Sequence, residues 1–251
     1  FTGAVGADQP NDFAGFDINP LAVLICRTKA GPFYAEAMRR RSLAALARVE
    51  ADTISDPGVD FPHLDKWFTE EAAVHLGRIR RAILEEDQRW ARRFLWIALA
   101  ETVRLTSNSR TSTFKLHIRP KDEIFGPRES PIAVFNRITR QNIKRYKEIA
   151  DMLKARGQVV ASGAYRGWVV ADFMDARTPV KQRDDMPQYD LLVTSPPYGD
   201  NVSTVPYGQY SYLPLQWIDF ADISPMLGAG WLKTTHEIDY RSLGGSRSLD
   251  A

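Results

Sequence analysis

One cysteine, Cys26, in 251 residues excludes an internal disulfide and fits a reducing compartment. The four histidines, His63, His75, His117 and His236, lack metal-ligand spacing to one another or to Cys26. No structural zinc site, and no metal, is expected. Long apolar runs are also missing: the longest, residues 94–100, has seven residues, so no membrane span is expected. Phe1-Thr2-Gly3 shows neither a basic end nor an apolar run after it, and no signal peptide is expected. Internal repeats and low-complexity tracts do not occur. With 44% hydrophobic and 25% charged residues, the composition is that of a globular chain of one or two domains. Phe1 stands where a Met would start a chain, and Gly244-Gly245-Ser246-Arg247-Ser248 reads as a loop three residues from the end. Sequence is therefore expected to be missing on both sides.

Net charge is nearly absent, with 33 Lys+Arg against 31 Asp+Glu, but it is unevenly spread. Residues 101–150 hold 11 Lys/Arg and 5 Asp/Glu, a local +6. Residues 158–251 hold 7 against 11, a local −4. A basic middle beside an acidic remainder reads either as a module facing a polyanion or as a solvated helical surface.

Residues 13–18 read as a short strand, followed by a turn and a helix with Pro20 at its first position, running to about Lys29. Gly31-Pro32 breaks that helix, and residues 33–51 form a second. Cys26 reads as a buried residue of the first helix. Across 69–105, Thr69 is an N-cap with Glu70 and Glu71 in the first turn. Ala72, Leu76, Ile79 and Ile83 then recur at helical spacing, and Trp90, Phe94, Ala98 and Leu105 continue on a second helix of a hairpin. Phe135, Ile138, Asn142, Tyr146, Ile149 and Leu153 mark another helix, closed by Gly157. Residues 158–161 and 168–171 then read as short strands and 189–194 as a buried strand. The expectation is one α/β sheet built from 1–51 and 157–251, interrupted by a mainly helical insertion at 52–156.

The run most informative for chemistry is Asp190-Leu191-Leu192-Val193-Thr194-Ser195-Pro196-Pro197-Tyr198-Gly199. An apolar strand enters a rigid turn whose two prolines lack backbone donors, leaving nearby carbonyls free to accept hydrogen bonds. Ser195 adds a side-chain acceptor and Tyr198 an aromatic face. Such a loop can grip an exocyclic amino group, at the strand ends where open α/β sheets bind ligands. As a bare pattern, Pro-Pro-Tyr is also an ordinary turn.

Thr194-Ser195-Pro196-Pro197-Tyr198 resembles the catalytic motif of the S-adenosylmethionine-dependent amino-group DNA methyltransferases. Gly15-Phe16-Asp17-Ile18-Asn19-Pro20 resembles the segment that comes after their glycine-rich motif. The resemblance implies a Rossmann-like class I methyltransferase sheet. Asp17, with Asn19 and Pro20 beside it, would take the ribose hydroxyls of S-adenosylmethionine. Asp172 or Asp175, expected just after the strand at 168–171, would lie near the cofactor adenine, the latter matching slightly better. Gly3 falls in Phe1-Thr2-Gly3-Ala4-Val5-Gly6, a near miss to the glycine-rich loop, with Val5 where glycine is expected. The stretch from Asp200-Asn201 through Tyr207, Tyr210, Tyr212 and Trp217 resembles the family's segment C-terminal to the catalytic loop.

By the same resemblance the reaction is direct methyl transfer to a base amino nitrogen, with Ser195, Pro196, Pro197 and Tyr198 as the catalytic loop. Tyr198 would stack on a base flipped out of the duplex. Serine before Pro-Pro-Tyr leans towards cytosine N4, aspartate there towards adenine N6. The insertion would contact double-stranded DNA. Arg110, Lys115, Arg119 and Lys121, with Arg104, surround the polar loop Thr106-Ser107-Asn108-Ser109, and Arg140 and Lys144 lie in a second basic group on a helix. A restriction or defence-system partner is expected, as is a cytoplasmic, nucleoid-associated place in a bacterium or archaeon. An RNA amino-group methyltransferase and a non-catalytic nucleic-acid-binding subunit of this fold are the alternatives. A dinucleotide oxidoreductase ranks last, since Gly-x-Gly-x-x-Gly is lacking.

Overall fold

Residues 12–112, 115–175, 190, 191, 193 and 207–242 are described by the structure, a computed structural model. Strand β1 (Phe13–Asp17) pairs in parallel with β2 (Val169–Phe173), Phe13 opposite Val169 and Asp17 opposite Phe173. A parallel pair needs a crossover, and here it is long and helical. It comprises α1 (Pro20–Lys29), α2 (Ala35–Ala51), α3 (Leu64–Trp67), α4 (Glu70–Leu84), α5 (Arg89–Thr106), α6 (Lys121–Phe125) and α7 (Pro131–Ala155). Beyond β2 come α8 (Tyr207–Trp217) and α9 (Glu237–Ser242).

Helices α1, α4 and α7 start where short polar side chains satisfy one of their first N–H groups. Asn19 Oδ1 accepts from the Leu21 N–H at 3.0 Å, with Pro20 at the next position. Thr69 Oγ1 does the same for Ala72 at 3.2 Å, and Ser130 Oγ for Ala133 at 3.2 Å. Ala72, Leu76, Ile79 and Ile83 form the buried stripe of α4, and Val134, Phe135, Ile138, Tyr146 and Ala150 that of α7. Helix α5 is the hub. It packs on α1, α2, α4, α7 and α8, and Leu95, Trp96, Leu99 and Val103 are fully buried. Each such side chain contributes about 1.5–3 kcal/mol. One core therefore joins helices of 1–51 to helices of 52–156.

Among the described residues the architecture is mostly helical with a two-stranded parallel sheet. The wider sheet expected from the sequence is not among them. Residues 158–161 are not a strand: they turn through a lone Val159–Tyr165 bridge. Gly163 sits there at φ +90°, where a Cβ would come within 2.7 Å of the Phe33 carbonyl, so the segment is tied to α2's entrance instead. Of 189–194 only Asp190, Leu191 and Val193 are described. None lies in a strand, and Leu191 and Val193 are 74% and 61% exposed, because neither described strand covers them.

Candidate active site

Asp17 ends β1, at the carboxyl edge of the parallel pair, and the chain turns at once into α1. Its Oδ1 accepts from the Asn19 N–H at 2.7 Å. The carboxyl faces solvent, yet the protein mass around it raises its pKa above the usual aspartate value; bonds from the Asn19 and Ile18 backbone act the other way. A carboxylate offers about four acceptor sites, so Asp17 keeps room for further donors. Asn19 has less freedom. Its Oδ1 caps α1 and its Nδ2 donates to Ser211 Oγ of α8 at 2.8 Å.

The acidic residues on β2 take different positions from those expected. Asp172 does not come after the strand; it lies inside it, opposite Phe16. Its carboxylate pairs with Arg27 of α1, whose Nε also bonds the Ala171 carbonyl at 2.5 Å and whose Nη1 bonds the Ile223 carbonyl. Pairing with β1 as far as Asp17 carries the strand two residues past its expected end. Asp175 lies beyond β2, on the same edge as Asp17, where the Met174 N–H extends the ladder to the Asp17 carbonyl at 3.2 Å. Gly3 and the Ser195-Pro196-Pro197-Tyr198 loop lie outside the described residues.

Helix α8, which begins nine residues after Tyr198, is held at both ends. The Asp239 carboxylate of α9 accepts from the Gly208 and Gln209 N–H groups at 2.6 and 3.3 Å, a carboxylate at a helix N-terminus. Burial raises the Asp239 pKa and those two bonds lower it. At the other end Arg80 Nε bonds the Trp217 carbonyl at 3.2 Å. Tyr212, Leu213, Leu215 and Trp217 are core residues, and Trp217 meets Phe61 and Phe68 edge-on at 6.3 and 5.5 Å. The next segment is pinned by arginines of α5. Arg92 grips the buried Asp222 carboxylate through Nε and Nη2 at 2.8 and 2.7 Å, and Arg93 Nε takes the Asp222 carbonyl at 2.7 Å. Burial first, then neighbouring Arg27 and Arg89, hold the Arg93 guanidinium below its ordinary pKa.

The proposed DNA side divides in two. The loop Thr106-Ser107-Asn108-Ser109 is not open to a ligand: all four residues are buried. Asn108 bonds the Trp67 and Lys66 carbonyls, and Arg128 reaches the Ser107 carbonyl at 2.8 Å. Its polar atoms serve the turn between α5 and α6. Around it Arg110, Lys115 and Lys121 are exposed, while Arg119 spends its Nε on the Ser109 carbonyl at 2.9 Å. The Leu116 N–H donates to Gln209 Oε1 at 3.3 Å, so this basic segment leans on the first turn of α8. On α7, Arg140 bonds Asn136 at 2.6 Å and Lys144 faces Glu148 at 4.0 Å, both exposed.

Cys26 is exposed rather than buried, because α1 turns Leu21, Val23 and Leu24 into the core and leaves residue 26 outside. Burial of the thiol's surroundings, and then the Asp17 charge, push its pKa up. No group of three or more potential metal ligands occurs among the described residues. No helix among them is long and apolar enough to cross a membrane. Ser211, buried and bonded to Asn19, has no sequence signal: 192 residues separate the two.

Similarity to a known protein accompanies this geometry. Over 218 residues, 82% of the chain, 32% of positions are identical to the type II methyltransferase M.MvaI of Kocuria varians. The chain is a distant homologue of that methyltransferase. It spans 45% of the relative's length. No family model and no solved structure matches it.

Proposed function

We propose that the chain is part of an S-adenosylmethionine-dependent DNA methyltransferase acting on an exocyclic amino group, cytosine N4 in preference to adenine N6. The similarity over 82% of the chain is the observation that carries this reading. Asp17 supports it independently: a carboxylate with spare acceptors at the carboxyl edge of a parallel strand, entering a capped helix, suits two ribose hydroxyls. Ser195 ahead of Pro-Pro-Tyr favours cytosine.

Asp17 would hold the ribose, with Asn19 and Pro20 shaping its turn, and Gly3 would belong to the loop that serves the methionine part of the cofactor. Asp175 serves the adenine side better than Asp172, because it lies beyond β2 at the edge where Asp17 ends β1, whereas Asp172 lies inside the strand. S-adenosylmethionine, when bound, supplies an electrophilic methyl group. The base amino nitrogen is a weak nucleophile because its lone pair is delocalised into the ring. Donating its hydrogens to the Ser195 side chain and the Pro196 carbonyl localises that pair, and Pro197 adds no competing N–H. Tyr198 stacks on the flipped base. Alignment supplies most of the remaining acceleration. Direct transfer needs no covalent enzyme intermediate, so Cys26 need not act as a nucleophile.

Residues 1–51 and 157–251 form the catalytic core, a Rossmann-like class I sheet of which β1 and β2 are the described pair. Residues 52–156 form the insertion that contacts double-stranded DNA through Arg110, Lys115, Arg119, Lys121, Arg140 and Lys144. Restriction-modification in a bacterial or archaeal cytoplasm, at the nucleoid, is the setting, with a restriction or defence-system partner; the relative is bacterial. The test is to express the intact gene product in a methylation-free host and to analyse genomic nucleosides by mass spectrometry. N4-methylcytosine that disappears with Tyr198→Ala is expected. Soluble wild-type protein with unmodified DNA would overturn the proposal.

A further inference from the structure

Asn19 is held at three points. Its Nδ2 donates to Ser211 Oγ at 2.8 Å, its Oδ1 accepts from the Leu21 N–H at 3.0 Å, and its own N–H donates to Asp17 Oδ1 at 2.7 Å. An amide bonded at both ends cannot rotate, so the first two contacts fix the side chain and the turn that carries it. The third then fixes the Asp17 carboxylate. A helix cap needs only the Leu21 contact. The Ser211 contact does something more, because it ties the turn to a second element.

That element is rigid. Ser211 is 2% exposed, in a helix closed at its N-terminus by Asp239 and at its C-terminus by Arg80, with Leu213, Leu215 and Trp217 in the core. We propose that Ser211 is a positioning residue for Asp17: through Asn19 it sets the orientation of the carboxylate that takes the ribose hydroxyls of the cofactor. The inference rests on the role given to Asp17 in the proposed function. An exposed aspartate at a strand end otherwise samples several rotamers, and a carboxylate that must meet two hydroxyls at once gains from being held in one.

The experiment is calorimetric titration of the intact gene product with S-adenosylhomocysteine and with its 2′-deoxy and 3′-deoxy counterparts. Wild type is expected to bind each deoxy compound about tenfold more weakly, a charge-assisted hydrogen bond being lost. Asp17→Ala removes this preference. Ser211→Ala reduces it to about twofold, while circular dichroism stays native, and Ser211→Thr, which keeps the hydroxyl, restores it. A role in folding alone would move the melting temperature without moving the hydroxyl preference. Asn19→Ser keeps the helix cap but is too short to reach Ser211, and it gives the same loss even if Ser211→Ala does not fold.

Full preference in Ser211→Ala or in Asn19→Ser overturns the inference and leaves the role of Asp17 standing. Full preference in Asp17→Ala removes that role, and the inference with it. A wild-type protein that does not bind S-adenosylhomocysteine refutes the proposed function itself.

Discussion

Asp222→Ala should be among the most destabilising single changes in the chain. Asp222 is 1% exposed, and its carboxylate receives Arg92 Nε at 2.8 Å, Arg92 Nη2 at 2.7 Å and Trp96 Nε1 at 2.7 Å. Removing it leaves the indole N–H of fully buried Trp96 unpartnered, at about 1–3 kcal/mol. Arg92 keeps only the Glu86 and Asp87 carbonyls, at 2.7 and 3.2 Å, and loses its counter-charge. Breaking a buried pair typically costs about 3–5 kcal/mol, a figure that includes such orphaned groups. The Arg92 side chain is 19% exposed, so water recovers part of the loss and about 3 kcal/mol is the expected total. Asp222→Asn, which still offers one acceptor, should cost about 2 kcal/mol.

Urea unfolding followed by far-UV circular dichroism measures both variants. With a slope of about 2 kcal/mol/M, the alanine variant's midpoint should fall by about 1.5 M at unchanged slope. The Arg137–Glu129 pair is the control. It is equally short, at 2.8 Å, but both side chains are 46% exposed, and Glu129→Ala should leave the midpoint unmoved. A drop below about 0.3 M for Asp222→Ala, or equal drops for the two pairs, would refute the burial argument.

Gly77 in α4 faces the Pro57 carbonyl so closely that a Cβ would lie 2.5 Å from the oxygen. Gly77→Ala should therefore cost about 1–3 kcal/mol in the same unfolding assay despite alanine's better helix propensity, and a stabilised variant would contradict the contact. Asp17 has its folded-state pKa raised, so the native chain holds its proton to higher pH than the unfolded chain. The group subtracts stability as pH rises through its folded pKa. Asp17→Asn is expected to raise Tm at about pH 7, to leave it unchanged at about pH 3, and to weaken cofactor binding; a lower Tm at neutral pH would count against the desolvation argument. For DNA, Arg110→Ala and Lys121→Ala should each lower the log–log salt slope of duplex binding by about 1, while ion-paired Arg137 should matter less. Equal losses at all three sites in a fluorescence anisotropy titration would speak against this division.

Local chemistry made much of this architecture legible. Asn19-Pro20 and Thr69 announce helix starts with a mechanism, and both caps form. Asp17 is the last residue of its strand, one residue short of the 13–18 read from the apolar segment that ends in Asp-Ile-Asn-Pro. What could not be read depends on partners distant in the chain. Asp172 lies in β2 because the distant β1 pairs with it at Phe16, and Arg27, 145 residues away, meets its carboxylate. Residues 106–109 look like an open polar loop, yet Trp67, Lys66 and Arg128 satisfy them inside the protein. Cys26 sits on a helix of ten residues whose outer face no spacing rule could identify.

Charge shows the same limit and decides where a polyanion could sit. A local excess of +6 over residues 101–150 treats every cation as available. In the fold Arg104 is spent on Glu101 at 2.6 Å, Arg128 on backbone carbonyls, Arg137 on Glu129 and Lys147 on Asp151. Arg119 is partly spent on Ser109. Arg110, Lys121 and Arg145 keep side chains with no partner among the described residues. Two of these flank the segment that leans on α8 through Leu116 and Gln209. Free positive charge therefore lies beside the helix that comes after the Ser195–Tyr198 sequence, while on α7 carboxylates offset Arg137, Lys144 and Lys147. A duplex held by that free charge would lie first along the α8 side of the insertion, with the exposed Arg140, Lys144 and Arg145 of α7 as further contacts.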